Sequence, residues 1–413
     1  MIENLRGTRD ILPDESYKWK YVTNIVFNTM KDFGYSEILL PIFEHTELFS
    51  RGVGEITNIV TKEMYTFLDK GNRSLTLRPE ATAGIMRSVI QNNLCAQGRF
   101  SKLFLIGPMF RHERPQKGRY RQFYQINAEC LGIPNYEADV EIIDLTMEIF
   151  KRLEIKDLTI TINSVGCEKC RPDYLKAIYE YFSKYKDSLC EVCRDRLERN
   201  PLRILDCKNE DCIEIAKDAP NIIDYLCEEC KEHFNKVLKG LNNIQYSYKI
   251  NKNLVRGQDY YTKTVFEILS NHLGTQNAVS GGGRYDNLGK IIGNQNIPAV
   301  GFGCGLDRLI LIMEEQNCTF GEIPIPSIYI VTTNNKYKQF TLNTAHQLRT
   351  LGFSVDHDLI GRSYKNQMNT SKKYKYVIII NGDILQFKDN KYMFDFKEMY
   401  FNEIVKYLIN EGE

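Results

Sequence analysis

The chain has 413 residues, too many for one compact core and enough for two or three domains. Hydrophobic residues make up 43% and charged residues 26%, ordinary values for a globular protein in water, and no apolar run approaches the ~18–20 residues that span a bilayer. The net charge of +1 says little about partners, because a basic face can be local, while the polar start from Met1 to Asp10 lacks the apolar segment of an export signal, so a cytoplasmic location is expected.

Residues 14–33 read as a helix opened by Pro13 and Asp14, with Trp19, Val22, Val26 and Met30 on one face and Gly34 to end it. Residues 38–43 read as a short apolar strand that Pro41 confines to an edge or bulge. A strand–turn–strand pattern follows over 62–77 around Asp69-Lys70-Gly71-Asn72, then a helix over 80–91. Residues 102–110 and 122–131 are strands joined by a charged, glycine-containing connection; a helix over 138–151 and a strand over 158–162 come next. From Cys167 to Gly240 the chain is charged, cysteine-rich and helical, with Ile222, Leu226, Cys230, Phe234 and Leu241 at helix-face spacing. Strands resume at 245–250, at 261–269 and around Val279, and a glycine-rich stretch leads into a helix over 306–314. After Ile323-Pro324-Ile325-Pro326 the pattern is strand, helix, strand, helix, strand through residue 381, which indicates a separate small α/β domain.

Four segments carry chemistry. The connection Arg111-His112-Glu113-Arg114-Pro115-Gln116-Lys117-Gly118-Arg119-Tyr120-Arg121 is rich in guanidinium forks, whose planar donors match phosphate oxygens two at a time; a solvated charged loop is the plainer alternative. In the strand that follows, a period of two puts Tyr124, Ile126, Ala128 and Cys130 on one face and Phe123, Gln125, Asn127 and Glu129 on the other. Such a polar face either meets water or lines a pocket. Gly281-Gly282-Gly283 reads either as a phosphate-cradling loop or as close backbone packing at a pocket floor. Eight of the twelve cysteines fall within 167–230 as CxxC pairs at Cys167/Cys170, Cys190/Cys193 and Cys227/Cys230 plus the looser Cys207/Cys212. They suit one or two four-cysteine zinc sites, or equally small hydrophobes on helix faces, and no metal is assigned to them from sequence.

The arginine-rich hairpin resembles motif 2 of the class II aminoacyl-tRNA synthetases. Residues 33–51 are similar to motif 1, and Ala299-Val300-Gly301-Phe302-Gly303-Cys304-Gly305-Leu306-Asp307-Arg308-Leu309 to motif 3. Leu254-Val255-Arg256-Gly257-Gln258-Asp259-Tyr260-Tyr261 resembles the signature peptide of the histidyl-tRNA synthetase family, and Arg6-Gly7-Thr8-Arg9-Asp10, Leu77-Arg78-Pro79-Glu80 and Ser280-Gly281-Gly282-Gly283-Arg284-Tyr285-Asp286 match the same family.

The resemblance implies an α+β catalytic domain built on an antiparallel sheet in residues 1–325, with a helical insertion at about 167–243, and a small α/β anticodon-binding domain in 326–413. It implies ATP with Mg²⁺, L-histidine and tRNA(His) as partners, a homodimer, and no membrane. Arg111 and Arg256 are then catalytic, on either side of the α-phosphate, with Arg119, Asp307 and Arg308 completing the ATP site. Asp307 stands where many relatives carry Glu. Glu80, Thr82 and Gln125 match the α-amino site, with Ala81 in place of a glycine; Glu129 and Tyr261 match the pair that reads the imidazole nitrogens, beside Tyr260 and Tyr285. Gln116, Arg362 and Lys365 are the tRNA-contact candidates, the last two in a basic stretch from Gly361 to Ile380 that contains no acid. Residues 383–397 depart from the family's longer hairpin. The rival reading is a binding protein, a histidine-sensing regulatory paralogue of ATP phosphoribosyltransferase, which typically lacks the terminal domain and the complete signature peptide. A degenerate RNA binder is a third reading, which the intact arginine set argues against.

Overall fold

The computed structural model describes every residue except Met1, Ile56, Asn58, Lys117, 274–276, 383–384, 392–394 and 411–413. It divides into two compact units, Met1–Gly321 and Glu322–Glu413, so the division falls just before the proline-containing linker rather than within it.

In the first unit, α1 (Pro13–Asp32) starts with proline at its first turn beside Asp14 and Glu15, where a missing N–H costs nothing and negative charge suits the helix dipole. Its buried residues include Trp19, Val22, Val26 and Met30, the stripe that the spacing predicts. Residues 38–43 do not form one strand. The chain pairs briefly as β1 (Ser36–Glu37), leaves the ladder, and pairs again as β2 (Phe43–His45). Pro41 has no N–H to give a neighbour, and the carbonyl of Leu40 is instead taken by the buried Arg78 guanidinium at 3.2 Å.

Helix α2 (Thr46–Val53) leads to the hairpin β3 (Tyr65–Leu68) and β4 (Ser74–Leu77), whose turn is closed by Asp69 accepting from the amides of Gly71 and Arg73. Then come α3 (Thr82–Gln91), the long pair β5 (Ser101–Phe110) and β6 (Gln122–Leu131), α4 (Tyr136–Arg152) and β7 (Leu158–Ser164). The insertion contributes α5 (Arg171–Ser183), α6 (Glu191–Arg199), α7 (Glu210–Lys217) and α8 (Glu228–Asn243). The apolar face expected from Ile222 to Leu241 is shared by two elements: Ile222–Tyr225 is a separate 3-10 turn, and Leu226 is extended, so the helix proper begins at Glu228. The unit closes with β8 (Tyr248–Ile250), β9 (Thr262–Ser270), β10 (Ala278–Arg284), α9 (Leu288–Gly293), β11 (Ala299–Gly305) and α10 (Leu306–Glu315).

The main sheet has the order β1-β5-β6-β11-β10-β9-β7-β8, antiparallel except for its two edge pairs, and β2-β4-β3 forms a small separate sheet. On one face, α1, α4 and α10 bury Val22, Ile142, Ile149 and Leu309 against Ile126, Ala128, Phe266 and Phe302. On the other, α3 and α9 bury Ile85, Met86 and Leu288 against Leu105, Val265 and Ala299. This is the α+β antiparallel architecture expected from sequence. The glycine run is not a loop: Gly281, Gly282 and Gly283 lie within β10, and a Cβ on Gly282 would come within 2.2 Å of the Gly301 carbonyl oxygen. Close packing of strand on strand therefore explains the run, and the phosphate-loop alternative fails.

In the second unit, β12 (Ile328–Thr332), α11 (Lys338–Thr350), β13 (Val355–His357), α12 (Tyr364–Ser371) and β14 (Tyr376–Ile380) follow the expected alternation, with β13-β12-β14 parallel. Two antiparallel strands, β15 (Leu385–Asp389) and β16 (Lys397–Met399), extend that sheet, and α13 (Phe401–Asn410) covers it. The departing segment is thus a short hairpin, of which Asp383, Ile384 and 392–394 lie outside the described residues.

One buried ion pair ties three elements of the first unit together. Arg284 on β10 and Asp139 on α4 are both fully buried. Arg284 also donates to the carbonyls of Ile133 and Asn135 at 2.9 Å each, and His233 of α8 lies 3.3 Å from Asp139. Burial opposes ionisation of Asp139, but Arg284 and His233 outweigh it and hold the carboxyl down at about 2. Asp139→Ala strands a buried guanidinium and is expected to cost about 3–5 kcal/mol in urea unfolding at neutral pH. A variant as stable as the parent would refute this role.

Candidate active site

The hairpin between β5 and β6 is built from the backbone outward. Arg111 N donates to Arg121 O at 2.9 Å, Gln116 and Arg119 pair as an isolated bridge, and Gly118 turns the tip at φ +73°. Lys117 lies outside the described residues. The amino-terminal motif clamps the hairpin: Arg121 N donates to Gly7 O at 2.7 Å, and the Arg9 guanidinium sits 4.9 Å from the Tyr120 ring centroid.

Behind the hairpin lie an outer cleft of about 560 Å³ and an inner chamber of about 120 Å³. Arg111, Gln125, Arg256 and Gly281 line both, so the two spaces meet at two arginines. Arg119, Asp307 and Arg308 line the outer cleft; Glu80, Thr82, Glu129, Tyr260, Tyr261 and Tyr285 line the inner chamber. Residues far apart in sequence and singled out from it therefore converge. Ala81 is the exception within the set: it is fully buried in the core that holds Ile85 and Tyr285, and does not line the chamber. Gln116 is exposed at the hairpin tip. In the second unit Lys365 is exposed, whereas the Arg362 side chain is tied to Asp358, Thr370 and Tyr329.

The outer cleft is cationic but pre-ordered by carboxylates. Arg111 donates through Nε to Pro79 O at 2.8 Å and lies over the Phe123 ring. Arg119 pairs with Glu113 at 3.1 Å, and Arg256 pairs with Glu267. Burial, then the neighbouring Arg119 cation, lower the Arg308 pKa, which marks a place that favours an anion. Asp307 accepts from Arg9 at 3.3 Å and from the Tyr124 amide at 3.2 Å, and burial raises its carboxyl.

The inner chamber is polar. The Glu80 carboxylate accepts from the amides of Thr82 at 2.8 Å and Ala83 at 2.9 Å, occupying the start of α3. Glu129 accepts from Thr82 Oγ1 at 2.7 Å and from the Tyr285 hydroxyl. Tyr285 is thus its partner in the chain, while Tyr261 faces the Arg256 guanidinium across 5.9 Å and lies tilted against Tyr260 with ring centroids 4.8 Å apart. Gln125 Oε1, Arg256 Nε and Gln258 Oε1 are buried without a hydrogen-bond partner. Asn127 Oδ1, on the same chamber, is a fourth. Buried polar atoms left unpaired are costly, and four of them around one small space point to a polar ligand.

Glycines make that space. A Cβ on Gly301 would lie 1.6 Å from Glu129 Oε2, one on Gly303 2.6 Å from Gln125 Nε2, and one on Gly281 2.5 Å from both terminal nitrogens of Arg256. Bare strand surface lets the long polar side chains of neighbouring segments lie flat across the sheet.

Sequence reasoning missed Glu267 and Arg203. Glu267 shares its face of β9 with Val265 and Leu269, while Phe266 and Ile268 enter the core, so the period of two carried the signal. Arg203 reaches the cleft from the insertion, donating to Gly257 O and approaching Asp259 at 3.4 Å, and no local pattern announces it.

Burial pushes the Glu129 carboxyl up to about 8 despite the hydrogen bonds from Tyr285 and Thr82. Its ordinary value is about 4.3, so the folded chain holds a proton that the unfolded chain has lost. Stability from this group therefore falls as pH rises from the ordinary value through about 8. Glu129→Gln removes that dependence, and in urea unfolding its stability relative to the parent should rise across the same window. A difference independent of pH would refute the protonated carboxyl.

The family profile described as "Histidyl-tRNA synthetase" matches residues 7–309. The histidine–tRNA ligase of Acetivibrio thermocellus is 47% identical, over 92% of each chain. The solved apo histidyl-tRNA synthetase of S. aureus has 33% identity and a TM-score of 0.82, covering 98% of this chain and 99% of that one. A Bacillus halodurans structure titled as an ATP phosphoribosyltransferase regulatory subunit/histidyl-tRNA synthetase shares the fold at 24% identity and a TM-score of 0.66, with 92% and 99% covered. The chain belongs to the histidyl-tRNA synthetase family.

Proposed function

We propose that the chain is a histidine–tRNA ligase: at the meeting point of the two chambers histidine displaces pyrophosphate from ATP to give histidyl-adenylate, and a hydroxyl of the 3′-terminal ribose of tRNA(His) then takes the histidyl group and releases AMP. The observation that carries this is the shared wall: Arg111 and Arg256 line both the cationic cleft and the small polar chamber. The histidine carboxylate is ionised at neutral pH and attacks the α-phosphate with no side-chain base. The site's task is to hold two anions together and to stabilise the charge that develops.

The imidazole enters the inner chamber, between Glu129 and Tyr261, with Tyr285 holding Glu129 and Tyr260 backing Tyr261. Glu80, Thr82 and Gln125 take the α-amino group, and Arg119 and Arg308 take the outer phosphates. A chamber whose polar atoms need partners discriminates against amino acids that leave them bare. Asp307 and Glu267 would hold Mg²⁺ beside the phosphates, directly or through water, and the ion would supply neutralisation of phosphate charge there.

Gln116 at the exposed hairpin tip is suited to the acceptor end of tRNA. The exposed Lys365, with Arg362 as its anchored neighbour, is suited to phosphates of the anticodon arm. No helix among the described residues is long and apolar enough to cross a membrane, and the proposed place of work is the cytoplasm. A homodimer is proposed from the segment resembling motif 1 and the small sheet beside it, where Leu39, Phe43, Phe67 and Leu68 are each exposed.

Histidine-dependent ATP–pyrophosphate exchange, followed by charging of tRNA(His), tests the activity. Histidine binding without exchange would favour the regulatory reading. Arg256→Ala should keep the fold and lower exchange by about 10²–10³-fold, the usual loss for one transition-state donor. Gly281→Ala should act in the same direction by crowding Arg256, and unchanged exchange in both would refute the role of that arginine. Sedimentation should give twice the chain mass, and Phe43→Asp with Leu68→Asp should halve it. A parent sedimenting as a monomer would refute the dimer.

A further inference from the structure

The eight cysteines of the insertion converge as two groups of four: Cys167, Cys170, Cys227 and Cys230, and Cys190, Cys193, Cys207 and Cys212. Within each group all four sulfurs lie within 4.8 Å of one another. Cys167 is 3.7 Å from Cys170 and 3.8 Å from Cys227; Cys170 is 3.9 Å from Cys230, and Cys190 is 3.8 Å from Cys207. A tetrahedron of Zn–S bonds of about 2.3 Å has S···S edges of about 3.8 Å. We propose that the insertion binds two structural Zn²⁺ ions, each held by four thiolates.

Two further features favour thiolate ligands over hydrophobic packing. Amides two residues on point at the sulfurs, Lys169 N at Cys167 and Asn209 N at Cys207, both at 3.4 Å, which stabilises charged sulfur. The cysteines also gather at helix starts: Cys170, Cys190 and Cys227 immediately precede α5, α6 and α8, while Cys193, Cys212 and Cys230 sit in the first turns of α6, α7 and α8. There the helix dipole favours negative charge. Packing alone would not bring sulfurs from positions as distant as Cys170 and Cys230 to tetrahedral spacing, and then repeat it nearby.

The need is physical. Helices α5, α6 and α7 are short, and the 3-10 turn Pro201–Asp206 interrupts them, around a modest core centred on Ile178, Phe182, Leu197 and Ile204. A small core of this kind is commonly stapled by metal. The first cluster joins the two ends of the insertion and adjoins Arg171, whose guanidinium donates to the carbonyls of Val165 and Tyr261. The second includes Cys207, four residues after Arg203, which holds Gly257 and Asp259. Arg171 and Arg203, each a few residues along the chain from a cysteine of one group, therefore both hold the segment Arg256–Tyr261.

Elemental analysis of the full-length protein, purified without chelator, should find two zinc per chain. Cys230→Ser and Cys193→Ser should each leave one. Should either variant fail to fold, two measurements on the parent decide: mercurial titration of the thiols should release two zinc, and cobalt exchange should give the strong thiolate-to-metal absorption of tetrahedral Co²⁺. Slow zinc removal should raise the KM for histidine in exchange more than it lowers kcat, because the pocket wall rather than the reacting atoms is loosened. No metal with eight freely titrating thiols, iron in place of zinc, or disulfides in the purified protein would each overturn the proposal. One zinc per chain would overturn the two-site form.

Discussion

The site depends on a stretch of sheet with nothing on it. Strands β10 and β11 carry glycine where the side chains of Arg256, Gln125 and Glu129 cross them, and a single methyl at Gly301 would occupy the position of a Glu129 oxygen. Antiparallel pairing sets this geometry: Gly301 is the register partner of Glu129 on β6, and Gly281 lies opposite Gly303 on β11. Glycine normally weakens a strand through its entropy and its lack of packing surface. Here four neighbouring strands, β6, β11, β10 and β9, supply the order that the glycines do not.

That bare surface must stay still, and the buried pair of Arg284 with Asp139 helps to fix it. Arg284 ends the same strand that carries Gly281, and it binds α4 beneath the sheet while Asp139 reaches α8 through His233. The floor of the chamber and the last helix of the insertion thus share one ionic network. Such pairs contribute little net stability against an apolar substitute, because desolvation offsets attraction. Their value lies in direction, since a guanidinium bound at several points has one permitted orientation.

Sequence made much of this legible where a period could be read. The alternation in β6 separated Gln125, Asn127 and Glu129 from Ile126, Ala128 and Cys130, and the fold divides them in the same way. The stripe of α1 was equally plain. Of the glycine-rich strands only the start of β10, around Val279, was legible, because β10 and β11 offer few side chains to alternate and their regularity comes from partners distant in sequence. The break at Pro41 was foreseen but its extent was not, because Arg78, distant in sequence, satisfies the backbone there. In the candidate site, the resemblance supplied roles for Glu129 and Tyr261. Only the assembled chamber gave Tyr285 to Glu129, and nothing local could have placed Arg203 against Gly257.

The carboxylates of the outer cleft explain how so much positive charge can wait for a ligand. Arg119 and Arg256 are held by Glu113 and Glu267, so neither must be immobilised when an anion arrives. The same pairing tempers affinity, since a phosphate competes with a carboxylate already in place. A site that bound its ground state as tightly as its transition state would gain nothing in rate. In the proposed reaction, negative charge grows on the α-phosphate as the histidine carboxylate approaches, between Arg111 and Arg256. Guanidiniums oriented beforehand, and only partly neutralised, respond most strongly at that moment. In that proposal the acids beside the arginines act as positioning groups, through the guanidiniums they hold.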